Sequence, residues 1–318
     1  MHEPVMLDRC VELLSPAITA AAAAGRRPVF VDATLGLGGH TEAMLLAHGD
    51  LTAVGIDTDP SALKRAAARL QPLGDRNRCV HTTFDQFDEA LDSLGLEQVD
   101  AVLFDLGVSS MQLDEAERGF AYSYDAPLDM RMDTTGGPTA ADVLATYDAD
   151  RLARVLYEYG DERYARRIAA EVVRVRETEP LRTSADLVAL LQRTIPARSQ
   201  RTGGHPAKRT FQALRVEVND ELGRIRRALP AAMERLVPAG RLVVMSYQSL
   251  EDRIVKRTFA SATTASVPPG LPVIPRDARP RFRLLTRGAE LASAPEIARN
   301  PRSAPVRLRA VERLRETP

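Results

Sequence analysis

A chain of 318 residues, 44% hydrophobic and 27% charged, has the composition of a soluble globular protein with room for one large domain or two modest ones. No apolar run approaches the roughly 20 residues that cross a bilayer, and the opening "MHEPVMLDRC" is acidic where a secretory signal would be basic. The two cysteines, Cys10 and Cys79, form no CxxC pair, which argues against disulfides and a cysteine zinc site and suits a reducing cytoplasm.

The net charge of zero conceals an asymmetry. Residues 1–150 carry 10 basic and 25 acidic side chains, residues 151–252 carry 19 and 13, and residues 253–318 carry 14 and 5. A polyanionic partner would therefore meet the rear of the chain.

The front half alternates between two periods. "VFVDAT" (29–34), "LTAVGID" (51–57), "CVHTTF" (79–84) and "AVLFDL" (101–106) are predicted strands, separated by helix-compatible "HTEAMLLAHG", "PSALKRAAARL" and "QFDEALDSL". Pro60 suits a helix first turn, Gly49 and Gly74 suit helix ends, and "AAAAG" (21–25) reads as a helix end or linker. This spacing predicts parallel βαβ units with right-handed crossovers.

Past Pro138 the strands stop. Helix follows helix from "TAADVLATY" to "LLQRTIP", one ending at Gly160 and one starting at the capping box "TSAD" (183–186). After the basic loop "ARSQRTGGHPAKRT", the spacing of Leu214, Val218, Leu222, Ile225, Leu229, Met233 and Leu236 predicts one long helix. "GRLVVMSY" (240–247) is a fifth strand. "SLEDRIVKRTF" is a helix capped by Ser249 and Asp252 that presents Arg253, Lys256 and Arg257. Beyond the proline-rich "VPPGLPVIP", two β-like pieces follow around "RFRLLT" and "VRLRAVERL". The fold expected is α/β: a doubly wound, Rossmann-like core (1–137 and 213–318) interrupted by an all-helical insert (138–212). The insert leaves beyond the carboxyl end of the fourth strand, where such sheets bind ligands, and is placed to act as a lid or substrate clamp.

"VDATLGLGGHTEAM" reads as strand, glycine turn and helix. Gly36, Gly38 and Gly39 permit a tight turn and close backbone approach, and the helix start offers free N–H groups. Asp57, at the end of the next strand, is placed to accept hydrogen bonds from both hydroxyls of a ribose, so a nucleoside-bearing cofactor is expected. Thr41 breaks the G-x-G-x-x-G/A dinucleotide pattern. Asp32 would repel a pyrophosphate and suits an ammonium or sulfonium, unless it only caps the turn. This favours S-adenosylmethionine over NAD. The stretch "DLGVSSMQLD" (105–114) leaves the strand beside the first one and should line the same pocket. Methyltransferases acting on exocyclic base amines often carry a polar residue followed by Pro-Pro-aromatic there. This chain has Asp105-Leu106-Gly107-Val108, which keeps a polar group and carbonyls without the aromatic clamp.

As a set these residues are distinctive. With "HEPVML" (2–7), "DATLGLGGHT", "GIDTDPSAL", "DLGVSSMQLDEAERGFAYSYDAPLDMRMD", "HPAKRTFQALRVEVNDEL" (205–222), "SYQSLEDRIVKRTF" (246–259) and "NPRSAPVRLRAVER" (300–313), the chain resembles, over essentially its whole length, the bacterial MraW/RsmH family. These are S-adenosylmethionine-dependent methyltransferases of cytosine N4 at the 1402 site of 16S rRNA in the small ribosomal subunit.

The resemblance implies cofactor contacts at Gly38, Gly39, His40, Asp57, Phe84, Asp105 and Gln112, and an insert that helps to hold RNA. Gln248 stands where many relatives have His, which argues against an imidazole base there. Ala304 and Pro305 replace a basic and a hydroxyl residue.

The reaction expected is in-line attack of cytosine N4 on the sulfonium methyl. Asp105, or the carbonyls of Leu106 and Gly107, would accept hydrogen bonds from the N4 protons; in the alternative reading Asp105 serves the cofactor alone. Arg131, Arg209, Arg253, Lys256 and Arg302 are candidates for RNA phosphates, with Phe120, Tyr122 or Phe211 for a splayed base. Five scattered histidines without an HxxxH pair give no reason to expect a metal. The competing readings are an NAD-dependent oxidoreductase and a non-catalytic RNA-binding assembly factor.

Overall fold

The computed structural model describes residues 4–108, 111–112, 115–200, 205–265 and 278–315. Among them, β1 (Val29–Asp32), β2 (Thr52–Asp57), β3 (Asn77–His81), β4 (Val99–Asp105), β5 (Leu236–Ser246), β6 (Phe282–Leu284) and β7 (Arg307–Arg313) form one sheet in the order β3-β2-β1-β4-β5-β7-β6. Pairing is parallel from β3 to β5, and β7 runs antiparallel between β5 and β6. The strand sequences explain this. β4 is buried at every position except Asp105, as expected of a parallel strand covered on both faces, whereas the edge strand β3 has no fully buried residue. The strand expected at 79–84 lies at Asn77–His81, where it pairs with β2 from Ala53 to Asp57, leaving Phe84 in the loop beyond.

The chain divides into two units: Met1–Gly107 with Leu222–Pro318, and Val108–Glu221. In the first, α1 (Leu7–Ala23) buries Cys10, Leu13, Leu14, Ala17, Ile18 and Ala21, an apolar stripe at helical spacing that packs on β4 and β5. The helices α2 (Gly39–Ala47), α3 (Pro60–Leu70) and α4 (Phe87–Asp92) connect successive parallel strands. From β1 the sheet grows through β2 on one side and β4 on the other. Asp32, Asp57 and Asp105 thus come to the carboxyl ends of three strands around this switch point.

The second unit contains α5 (Ala140–Thr146), α6 (Ala149–Gly160), α7 (Ala165–Arg176), α8 (Ser184–Thr194), a short turn Ala197–Gln200 and α9 (Ala207–Val218). Capping boxes at Thr139 with Asp142 and at Thr183 with Asp186 start α5 and α8. The insert expected at 138–212 is larger, because Phe120, Leu128, Met130 and Met132 belong to the same core as Leu152, Ile168, Leu187 and Phe211.

The single helix expected from Leu214 to Leu236 is two, α9 and α10 (Glu221–Arg235), broken where Asp220 takes φ 46. Asn219 causes the break. Its buried side chain accepts the Met132 N–H at 2.7 Å and donates to the Met130 carbonyl at 2.8 Å. Leu236 already belongs to β5.

After β5 come α11 (Ser249–Thr263) and α12 (Ala294–Arg299). The cap of α11 lies one residue earlier than expected, at Gln248. Glu251 Oε2 accepts the N–H groups of Tyr247 and Gln248, and Asp252 is taken instead by Arg309.

Candidate active site

The glycine turn is built on packing as much as on conformational freedom. Gly38 takes φ 74, and a Cβ there would sit 3.3 Å from Leu70, facing α3. A Cβ on Gly39 would overlap Pro4, which crosses the start of α2. These two glycines therefore let the protein close on itself. A side chain at Gly38 would thus meet α3 first.

Asp57 fastens the turn from the other side. Its Oδ2 accepts the Gly36 N–H at 2.7 Å and its Oδ1 accepts the Asp59 N–H at 2.8 Å. Burial pushes its carboxyl up to about 6 against the pull of these N–H groups. Each oxygen keeps a lone pair for a further donor.

Asp32 is only 1% exposed. Its Oδ2 accepts from the Thr41 hydroxyl at 2.8 Å and its Oδ1 from the Thr34 N–H at 3.3 Å. It caps the turn from below and supplies negative charge to the site without facing it openly. Burial raises it to about 6, with His40 and Thr41 opposing.

His40 is buried on the first turn of α2, with Nε2 3.0 Å from the Val5 carbonyl. Only a protonated Nε2 satisfies that carbonyl, so Nδ1 is an acceptor. Burial holds the imidazole below its ordinary value and hence neutral. Nδ1 faces Asp105 Oδ2 at 3.9 Å. Two acceptors at that separation converge on a donor, which an amine or ammonium supplies.

Asp105 is held on its other sides. Its backbone N–H donates to Thr34 Oγ1 at 2.6 Å, and its Oδ1 accepts from the Tyr247 hydroxyl at 2.8 Å. Burial raises Asp105 to about 7, with the Tyr247 hydrogen bond pulling it down. Phe84 stands half-buried and edge-on to Phe104, ring centroids 5.9 Å apart.

His40, Asp57 and Asp105, expected from the sequence, thus meet at one sheet edge. Thr34 and Tyr247 were not singled out. The readable signal for Tyr247 was that β4 and β5 are neighbours whose ends coincide, with Asp105 opposite Met245.

Other expected residues lie elsewhere. Gln112 belongs to the second unit and is buried; Ser109, Ser110, Leu113 and Asp114 around it lie outside the described residues. In the second unit Arg131 grips Asp129 through two hydrogen bonds of 2.9 and 2.7 Å, and Arg209 donates to the Asp161 carbonyl at 2.6 Å. Phe120 and Phe211 are core residues there, while Tyr122 stacks on His205 with centroids 4.4 Å apart. Arg253 and Lys256 are exposed on α11 beside Arg257. Arg302 is exposed in the turn Pro301–Ser303. Among the described residues, no three His, Cys, Asp or Glu side chains cluster to hold a metal, and no helix is long and apolar enough to cross a membrane.

The profile of the MraW methylase family matches residues 1–314. Proteins named ribosomal RNA small subunit methyltransferase H are similar throughout. That of Renibacterium salmoninarum is 55% identical over 99% of this chain and 95% of its own. That of Mycobacterium marinum is 58% identical over 98% and 80%, and that of Nocardioides sp. 60% identical over 98% and 96%.

Proposed function

The chain belongs to the MraW methylase family, and from that membership we propose that it transfers a methyl group from S-adenosylmethionine to N4 of one cytosine in 16S rRNA, the 1402 site, in the cytoplasm. The observation that carries the reading is the set of carboxylates, Asp32, Asp57 and Asp105, at the carboxyl ends of adjacent strands. A pyrophosphate would bring negative charge against them, while a cation is drawn in. This favours a sulfonium over a nicotinamide dinucleotide.

When bound, S-adenosylmethionine supplies a methyl carbon activated by positively charged sulfur. Asp57 offers its remaining lone pairs to ribose hydroxyls, and Phe84 offers apolar surface to adenine. Asp105 Oδ2 and His40 Nδ1 offer paired acceptors to an amino group. Cytosine N4 is a weak nucleophile because its lone pair is delocalised into the ring. The protein assists by fixing the line of attack and by presenting acceptors, from Asp105 or the carbonyls of Leu106 and Gly107, to a nitrogen growing positive. The proton then passes to water, so a general base is not required.

RNA phosphates are assigned first to the exposed face of α11, at Arg253 and Lys256 with Arg257, and to Arg302. Residues 253–318 carry the basic excess, whereas the second unit has 16 basic and 19 acidic residues. Arg131 and Arg209 are weaker candidates, since both are engaged within that unit. The second unit would then contribute shape and stacking through Tyr122 more than charge.

The test is transfer of labelled methyl from S-adenosylmethionine to small ribosomal subunits lacking the modification, followed by nucleoside mass spectrometry and mapping. N4-methylcytidine at a single site is expected. Methylation at a carbon, or none with cofactor bound, would refute the assignment.

A further inference from the structure

Tyr247 follows β5 and reaches across to β4. Its hydroxyl lies 2.8 Å from Asp105 Oδ1. Its ring passes 3.5 Å from where a Cβ on Gly107 would stand, so it also lies against the turn that leaves β4. The Asp105 backbone is pinned separately, by its N–H on Thr34 Oγ1.

We infer that Tyr247 is the positioning residue of this site: its hydroxyl occupies Oδ1 of Asp105, fixes that carboxyl group, and leaves Oδ2 as the oxygen presented with His40 Nδ1 to a cationic or amino ligand. The inference deepens the reading above and rests on it for the identity of the ligand. The phenol is held far above its ordinary value by burial and by Asp105, so it remains a donor at every working pH. A donor fixed on one oxygen does two things. It sets the torsion of the carboxyl group, and it favours the charged form that burial opposes. Tyr247 acts through Asp105, on which its hydroxyl is spent.

The groups around Asp105 allow its titration to be isolated. From α2, His40 is held low by burial; from β1, Asp32 lies at about 6; from α1, Cys10 is held well above its ordinary value by burial; and Tyr247 is higher still than an ordinary phenol. The amino group of S-adenosylmethionine also titrates between pH 7 and 9 but does so alike with both proteins, so differences between wild type and a Tyr247 variant in that range report on Asp105.

Tyr247→Phe keeps the ring and removes the donor. The first measurement is the titration of the Asp105 carboxyl carbon by NMR in ligand-free protein, assigned against Asp105→Asn. Its midpoint should rise by about one pH unit in Tyr247→Phe, the usual scale for one lost hydrogen bond to a carboxylate. The second is the affinity for S-adenosylmethionine from pH 6 to 9. With such a shift, binding should be about fivefold weaker than wild type at pH 7 and nearly equal at pH 9.

An unmoved Asp105 midpoint would overturn the inference, as would a loss of affinity that is the same at every pH, the mark of a merely structural ring. If wild-type protein bound no S-adenosylmethionine at any pH, the proposed cofactor would fall, while the carboxyl titration would still decide the role of Tyr247.

Discussion

The carboxylate of Asp57 reaches back across the site to the glycine turn, where its Oδ2 accepts the Gly36 N–H at 2.7 Å. With Oδ1 on Asp59, one side chain joins the turn after β1 to the turn after β2. Asp57→Ala leaves both N–H groups without their acceptor. It should cost roughly 1–3 kcal/mol of stability in urea unfolding and weaken S-adenosylmethionine binding by more than about tenfold. A variant of unchanged stability would mean that the turn holds its shape alone.

Asp32, Asp57 and Asp105 are all raised in the folded chain, to about 6, about 6 and about 7, chiefly by burial. Each binds its proton more tightly folded than unfolded. The stability they contribute is therefore full below about pH 4 and is lost as pH climbs through 6 and 7. Asp105→Asn should gain on wild type between pH 5 and pH 8, on the order of 2 kcal/mol, less than full linkage gives because a quarter of the Asp105 side chain meets solvent. Parallel stability curves for the two proteins would contradict this.

A cationic ligand draws the same carboxyls back to their charged forms. Binding of S-adenosylmethionine at pH 6.5 should release protons, about one per protein. Calorimetry in buffers of different ionisation heat reads that number directly. Net uptake would show that the ligand does not meet these acids as a cation.

Gly38→Ala places a Cβ 3.3 Å from Leu70 at φ 74 and should lower stability by about 1–2 kcal/mol, visible in thermal melts with or without ligand. Gly39→Ala collides with Pro4 and so displaces the segment whose Val5 carbonyl holds His40. Its effect should fall more on ligand affinity than on melting. Equal effects from the two substitutions on both quantities would separate neither role.

On α11, Arg253→Ala and Lys256→Ala should each weaken RNA binding and reduce the slope of log affinity against log salt by about one. Arg131→Ala should leave that slope alone, because its guanidinium is committed to Asp129. A flattened slope for Arg131→Ala would reverse the assignment.

The strands β1, β2 and β4 were legible because they are largely apolar runs ending in Asp, and the glycine turn because its composition has few other uses. The break at Asn219 was not, since apolar spacing runs unbroken from Leu214 to Leu236 and one buried amide decides the matter. Nor was the true start of the second unit: Phe120, Leu128, Met130 and Met132 reach its core from irregular chain, which has no period to read. Arg131 illustrates a third limit. Its partner is two residues away in a loop, and loop geometry alone turns a surface charge into a closed pair. Tyr247 needed the pairing of β4 with β5, a relation between segments more than a hundred residues apart.

That last pairing also orders the protein's birth. The second unit is one continuous stretch, complete once Glu221 has been synthesised, whereas the sheet bearing the acids is not. β4 has β1 on one side but waits for β5 on the other, and β5 in turn waits for β7. While the ribosome makes the intervening chain, a strand that ends up buried at six of its seven positions stands with one edge bare, open to pairing with any other nascent strand. The insertion that divides the fold thus lengthens the interval in which a newborn chain needs shelter.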